Sequence, residues 1–163
     1  MKRPTHYDFI PEHLLEGSIL DVGCGDMSNQ TKSKYRDLFL KKLQTFDYCG
    51  IDIEQDIFKW ESKTLFDTVL AIHVIEHIPL QQWELLFSRL RSFVAPQGHL
   101  VIGTPYKQQN SAYYQYFKGP PAQKHVVFDI DEYLIRNFIA PIEVIRYKGP
   151  YSESLMCIWR NKQ

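Results

Sequence analysis

Ser18-Ile19-Leu20-Asp21-Val22-Gly23-Cys24-Gly25-Asp26 decides how the rest of the chain is read. The apolar run Ile19 to Val22 reads as a buried strand that delivers the chain into two glycines spaced one apart. A polar cluster (Ser28, Asn29, Thr31) follows, and a helical pattern begins there. Strand, glycine turn and helix in that order place a nucleotide-type ligand at a strand's carboxyl end. Glycine suits the turn because a side chain would hold the ligand off the backbone. An acid at Asp21 would repel a pyrophosphate, so a cationic or amine-bearing ligand is expected.

Outward from this stretch, the 163 residues amount to about one domain, expected to span 1–163, with 1–17 as a lead-in. Hydrophobic residues at 44% and charged residues at 23% fit a globular protein that buries a core. Lys and Arg total 19 and so do Asp and Glu, so no bulk charge recruits a nucleic acid or an anionic membrane. Cys24, Cys49 and Cys157 share no metal-type spacing and read as reduced buried thiols. No apolar run has membrane-spanning length and the N-terminus carries no signal-peptide pattern, so a cytoplasmic protein is expected.

Periodicity assigns further elements. Tyr35, Leu38, Phe39 and Leu43 predict one face of a helix over Thr31 to Leu43. Strands are predicted over Phe46 to Ile53, ending at Asp52, and over Leu65 to Ile72. A helix after Pro79 turns Trp83, Leu86, Phe87, Leu90 and Val94 inward and stops at Pro96-Gln97-Gly98. A strand over Leu100 to Gly103 leads into a long loop, 104–124. Asp129 or Asp131 caps a helix through Phe138, with Tyr133, Leu134 and Phe138 inward. Ile142 to Tyr147 and Ser154 to Arg160 pair across Gly149-Pro150. Strands alternating with helices imply an α/β fold with a mostly parallel sheet covered on both faces.

Asp21-x-Gly23-x-Gly25 resembles motif I of the class I S-adenosylmethionine (SAM)-dependent methyltransferases. Gly50-Ile51-Asp52-Ile53 is similar to their second strand, which ends in an acid that takes both ribose hydroxyls. Phe66-Asp67-Thr68-Val69-Leu70-Ala71-Ile72-His73-Val74-Ile75-Glu76-His77-Ile78-Pro79 resembles motif IV of the small type 11/23-like members. The resemblance implies a Rossmann-like sheet with an antiparallel C-terminal hairpin. It implies SAM as cofactor, S-adenosylhomocysteine (SAH) as its product, and contacts from Asp21, Gly23, Cys24, Gly25, Asp52, Ile53, Asp56, Ile57, Ile72 and His73. The chain departs from the family twice. Only fourteen residues lie between Asp52 and Asp67, so the sheet is expected to be shortened around its third strand. Met27 stands where a third glycine is usual.

His73, Glu76 and His77 lie at i, i+3 and i+4, and three readings stay open for them. Glu76 and His77 brace the strand-to-helix corner, or His73 or His77 serves as a general base. In the third reading, His73, Glu76, His77 and a distant His125 hold a divalent metal, as Glu-x-x-Glu-His does in certain quinone-pathway and small-RNA methyltransferases. No metal is expected. Tyr106 joins the two histidines as a candidate catalytic residue, and Tyr106, Tyr113, Tyr114, Tyr116 and Phe117 are expected to form an aromatic lid over a planar acceptor.

The function expected is methyl transfer to a small-molecule acceptor enclosed by 104–124, with no nucleic-acid or membrane partner. A non-catalytic SAM-binding protein is one rival. The other is a nicotinamide-dependent oxidoreductase, against which Ser28 stands where the third glycine of G-x-G-x-x-G is needed.

Overall fold

Residue parity along the first strand sets the two layers of the molecule. In the computed structural model, which describes residues 4–52, 55–108, 124–149 and 152–163, β1 spans Ile19–Val22. Successive side chains point to opposite faces of a strand. Leu20 and Val22 therefore join one core cluster, with Val69, Ala71, Trp83, Leu86, Phe87 and Leu90. Ile19 joins a second, with Tyr7, Ile10, Leu14, Phe39, Tyr48 and Leu70.

Among the described residues, six strands form one sheet in the order β2-β1-β3-β4-β6-β5. β2 (Tyr48–Ile51), β1, β3 (Phe66–Ile72) and β4 (Val94–Pro105) run parallel. β6 (Glu153–Arg160) is antiparallel to both β4 and β5 (Glu143–Lys148). The closing hairpin and the shortened edge both match expectation, since β2 pairs with β1 alone among the described strands. Carboxyl ends of four parallel strands thus meet along one edge, where the loops after β1, β2, β3 and β4 assemble the site.

Helices differ more from expectation. The Thr31–Leu43 helix is two: α1 (Ser28–Lys32) and α2 (Arg36–Thr45). Ser33 breaks them, adopting an extended backbone while its hydroxyl donates to the Gln30 carbonyl at 2.7 Å and accepts from Tyr35 N at 3.1 Å. A serine that bonds its own backbone competes with the helical ladder. Phe39 lies inward while Leu43 is exposed. The second strand is shorter than predicted because Phe46, at φ 60° and 93% exposed, ends α2 and begins no strand.

α3 (Trp83–Ser92) buries Trp83, Leu86, Phe87 and Leu90 completely. Each such side chain contributes about 1.5–3 kcal/mol on burial. Val94 belongs to β4, which runs through Pro96-Gln97-Gly98 instead of starting after it. A register shift takes up the extra residues: Val94 lies opposite Phe66, and His99 opposite Thr68. α4 (Glu132–Arg136) is capped by Asp131, whose carboxylate accepts from Leu134 N at 2.9 Å. Tyr133 does not turn inward; it is exposed, because the short helix buries its Ile135 face.

The lead-in contributes to the core. Two 3₁₀ turns, His6–Phe9 and Glu12–Leu15, bury Tyr7, Ile10, Leu14 and Leu15 against the second cluster.

Candidate active site

The turn after β1 closes over the end of β2. Gly23 N donates to the Ile51 carbonyl at 2.7 Å, and Cys24 N donates to the same oxygen at 3.3 Å. Gly23 and Gly25 have φ of 74° and 58°, in the left-handed region that favours glycine. A Cβ on Gly23 would lie 2.7 Å from Val74 Cγ2, whereas one on Gly25 would meet nothing within 4 Å. The second glycine therefore faces open space at the carboxyl edge. Met27 also has positive φ, at 64°, so the chain takes a glycine-like backbone there with a side chain attached.

Asp21 lies beneath this turn, wholly buried, on the face that Tyr7 and Tyr48 also occupy. Tyr7 Oη donates at 3.0 Å, Tyr48 Oη at 2.7 Å and Gln30 Nε2 at 2.8 Å to its carboxylate. Burial pushes its pKa up to about 6 against the opposing pull of those donors. Its carboxylate oxygens are thus met by side chains of this protein. Nothing in the local sequence marks Tyr7, Gln30 or Tyr48 as its partners.

Cys24 is half-buried against Gly50, and burial, then the Asp21 and Asp52 charges, push its thiol up to about 11. Asp52 follows β2 directly and stands close enough to Cys24 for that charge to be felt. Ile53 lies outside the described residues. Asp56 accepts from Phe58 N at 3.0 Å and pairs with Lys59 Nζ at 3.3 Å, while Ile57 is buried in the first cluster.

At the end of β3 the backbone turns sharply. His73 has φ 58°, which is costly for a residue with a Cβ, and its N–H donates to the Gly103 carbonyl at 2.7 Å. Ile72, just before it, is buried against Gly103. The following turn, Ile75–His77, hangs on Trp83, whose indole N–H reaches the Ile75 and Ile78 carbonyls at 3.1 and 2.9 Å.

Glu76 is 1% exposed. Thr104 Oγ1 donates to Oε2 at 3.2 Å. Oε1 lies 2.8 Å from His73 Nδ1 and 3.9 Å from His125 Nε2; the first is a charge contact without hydrogen-bond alignment, so Oε1 keeps no hydrogen-bond partner. His73 Nε2 is likewise buried and unpartnered. Burial works against the Glu76 carboxylate, but the His73 and His77 imidazoles outweigh it and hold its pKa below the ordinary value.

The Glu76 carbonyl accepts from Val126 N and Val127 N at 2.8 and 3.1 Å, which brings the segment returning from 104–124 to the site. His125 arrives that way, its Nδ1 2.6 Å from Gln108 Oε1, and His77 Nδ1 lies 3.2 Å from the Lys124 carbonyl. Ligand atoms of Glu76, His77 and His125 lie within 4.8 Å of one another. One ion with bonds of ~2.1 Å holds its ligand atoms within about 4.2 Å, so a metal would have to draw the trio inward.

Sequence reasoning missed His6. Its ring centroid lies 3.9 Å from that of His73, and its Nδ1 lies 3.1 Å from Tyr147 Oη. Tyr106 follows β4, its ring 4.5 Å from the Arg146 guanidinium and 5.6 Å from Lys107 Nζ. Tyr113, Tyr114, Tyr116 and Phe117 lie outside the described residues.

A parallel sheet with a glycine turn after β1, an acid after β2 and a polar cluster after β3 defines an α/β fold of the Rossmann-like class. Residues 3–135 match the family described as methyltransferase domain, and the chain belongs to that family. Its fold is shared with the N-methyltransferase NodS of Bradyrhizobium japonicum WM9, solved with SAH, at 17% identity and a TM-score of 0.61, covering 90% of this chain and 79% of that one. It is shared too with 1,6-didemethyltoxoflavin-N1-methyltransferase of Burkholderia thailandensis, solved with 1,6-didemethyltoxoflavin and SAH, at 14% identity and a TM-score of 0.61, covering 90% and 72%. Pavine N-methyltransferase of Thalictrum flavum subsp. glaucum is 24% identical over 102 residues, 52% of this chain and 28% of that enzyme. The chain thus spans well under half the length of this curated relative. SAM is the cofactor of the class. No helix among the described residues is long and apolar enough to cross a membrane.

Proposed function

We propose that this chain transfers the methyl group of SAM to a small-molecule acceptor. The observation that carries the reading is the open face of Gly25, beside Cys24 and Asp52 at the carboxyl edge of the sheet. In this reading Asp52 accepts the ribose hydroxyls, since a carboxylate is acceptor-only and takes two bonds at once. Gly23, Cys24 and Gly25 leave room for the amino-acid portion. Asp21 holds the turn from below through Tyr7, Tyr48 and Gln30. Ile72 and His73 stand at the strand end nearest the transferred methyl.

Methyl transfer is an in-line displacement at a carbon already bonded to a good leaving group, so positioning supplies most of the rate. The chain fits that economy, with a built cofactor edge and an acceptor side at the cluster after β3, to which residues 124–127 return. Relatives support a small acceptor, because the Burkholderia thailandensis enzyme is solved with 1,6-didemethyltoxoflavin in place. Calorimetry with SAH and NADH tests the reading. SAH binding at micromolar levels with no response to NADH is expected; the reverse would make the chain an oxidoreductase. SAH binding with no methyl transfer to any acceptor would make it a binding module.

A further inference from the structure

We propose that the acceptor is an amine that enters as its ammonium ion, drawn in by Glu76 and relieved of its proton by His73 Nε2. The proposal rests on the methyl-transfer reading above and names the substrate class and proton acceptor of that site.

The argument starts from charge. Glu76 is buried, with an oxygen that no hydrogen bond satisfies. An unmatched carboxylate in a low-dielectric setting is unfavourable, and evolution tolerates such groups where a ligand completes them. The groups facing it from neighbouring elements are His6 from the lead-in, His73 from the end of β3, His77 from its own turn, His125 from the returning segment and Tyr147 from β5. Burial lowers the pKa of His6 to about 3 and that of His125 to about 4. Both rings are neutral at physiological pH, and burial pushes the Tyr147 hydroxyl up, so it is neutral too. His6, His125 and Tyr147 therefore bring no positive charge to the carboxylate, and its Oε1 keeps no hydrogen-bond donor.

Geometry assigns the base. His73 presents Nδ1 to Glu76 Oε1 at 2.8 Å. Nε2 is buried without a partner, which leaves it as the ring nitrogen that takes a proton from a bound acceptor. The carboxylate, 2.8 Å from Nδ1, stabilises by its charge the imidazolium that forms. The left-handed backbone at His73 is the kind of local strain that persists where surrounding structure imposes an orientation. His6 is a positioning residue: its neutral ring lies against the His73 ring and is tied to Tyr147.

Charge also decides between acceptor classes. An amine passes from ammonium to neutral beside Glu76, so its cationic entry is favoured. A phenol would pass from neutral to anionic there, and a carboxylic acid would arrive as an anion; both meet repulsion from Glu76. The step balances as follows. Ammonium N–H gives its proton to His73 Nε2. The freed nitrogen lone pair forms the N–CH₃ bond as the C–S⁺ bond breaks. The C–S electron pair stays on sulfur, leaving SAH and a methylammonium product, and His73 later returns its proton to water.

The test uses the full chain, methyl-labelled SAM and a cell extract split by ion exchange into cationic, neutral and anionic small molecules. Label is expected to enter the cationic fraction as N-methyl product. Glu76→Gln is expected to bind SAH within about twofold of wild type, to lower transfer ten- to a hundredfold and to move the low-pH limb of the rate profile towards acid. His73→Gln should lose at least as much, with SAH binding retained. His6→Ala should raise KM and lower kcat less than either, with His6→Gln recovering part. Label only in neutral or anionic products, Glu76→Gln transferring at the wild-type rate and pH profile, or transfer abolished by EDTA and restored by zinc would each overturn the proposal. So would SAH binding with no label in any fraction. Failure to bind SAH at all would instead overturn the methyl-transfer reading beneath it.

Discussion

Tyr7 places its hydroxyl 3.0 Å from both carboxylate oxygens of Asp21 and accepts the Gln30 side-chain N–H at 2.9 Å. One residue earlier, His6 lies against His73. Adjacent residues of the lead-in thus reach the floor of the glycine turn and the cluster after β3. Removing the Tyr7 hydroxyl leaves buried Asp21 short of a donor, which costs roughly 1–3 kcal/mol. Tyr7→Phe is therefore expected to lower stability by about that amount in urea unfolding and to weaken SAH binding with it. An unchanged midpoint would show that Tyr48 and Gln30 suffice.

Asp21 also sets a pH dependence. Its folded value of about 6 lies above its ordinary 3.8, so between those limits the native state binds more protons than the unfolded one. Stability from this group is present below pH ~4 and is lost as pH rises through 6, by about 3 kcal/mol at ~1.4 kcal/mol per pH unit. Asp21→Asn should flatten that decline in urea unfolding measured from pH 4 to 7. The same slope in the variant would place the titration elsewhere.

Gly23 carries two constraints that mutation can separate. Its φ of 74° disfavours any side chain, and an added Cβ would lie 2.7 Å from Val74 Cγ2. Gly23→Ala is expected to cost about 2–3 kcal/mol and at least tenfold in SAH affinity. Adding Val74→Ala should restore the steric part alone, so the double variant should be more stable than the sum of the single changes implies. Strict additivity would mean that the clash relaxes without cost.

Met27 makes the opposite prediction. Its backbone already takes the left-handed form, so Met27→Gly removes strain of ~1–2 kcal/mol while losing packing and raising unfolded-state entropy. The net change should stay within about 1 kcal/mol. Met27→Ile, with a branched Cβ at the same φ, should cost about 2 kcal/mol or more. Similar thermal midpoints for the two variants would argue against that backbone.

Asp52 is expected to act on the ligand with little effect on the fold. Asp52→Ala should weaken SAH at least tenfold in calorimetry while lowering stability by no more than about 1 kcal/mol. Removing the ribose 2′-hydroxyl from SAH should harm binding to wild type far more than binding to the variant. Equal losses in both proteins would show that Asp52 does not meet the sugar.

Local pattern carried the strands well because burial of alternate side chains is written into neighbouring residues. Phe66–Ile72 formed nearly where its apolar run predicts, and the short link from Asp52 to Asp67 foretold a sheet without its usual extra edge strand. Helix boundaries were less legible, because a single hydroxyl at Ser33 and a left-handed residue at Phe46 decided them. The Phe66-Asp67 pair was visible as a motif but not its job: Asp67 accepts from Ser18 N and Ser18 Oγ at 2.7 and 2.8 Å, bracing the start of β1.

By itself the sequence determined the layered parallel sheet, the glycine turn after its first strand and the acid after its second, since each rests on residues near one another in the chain. Only the tertiary structure decided that Asp21 is roofed by Tyr7, Gln30 and Tyr48, and that Glu76 gathers His6, His73 and His125. Those groups come from separate elements, and what unites them is the charge of two buried carboxylates. A buried charge must be met by whatever the fold brings within reach, and the chain order does not record which residues those are.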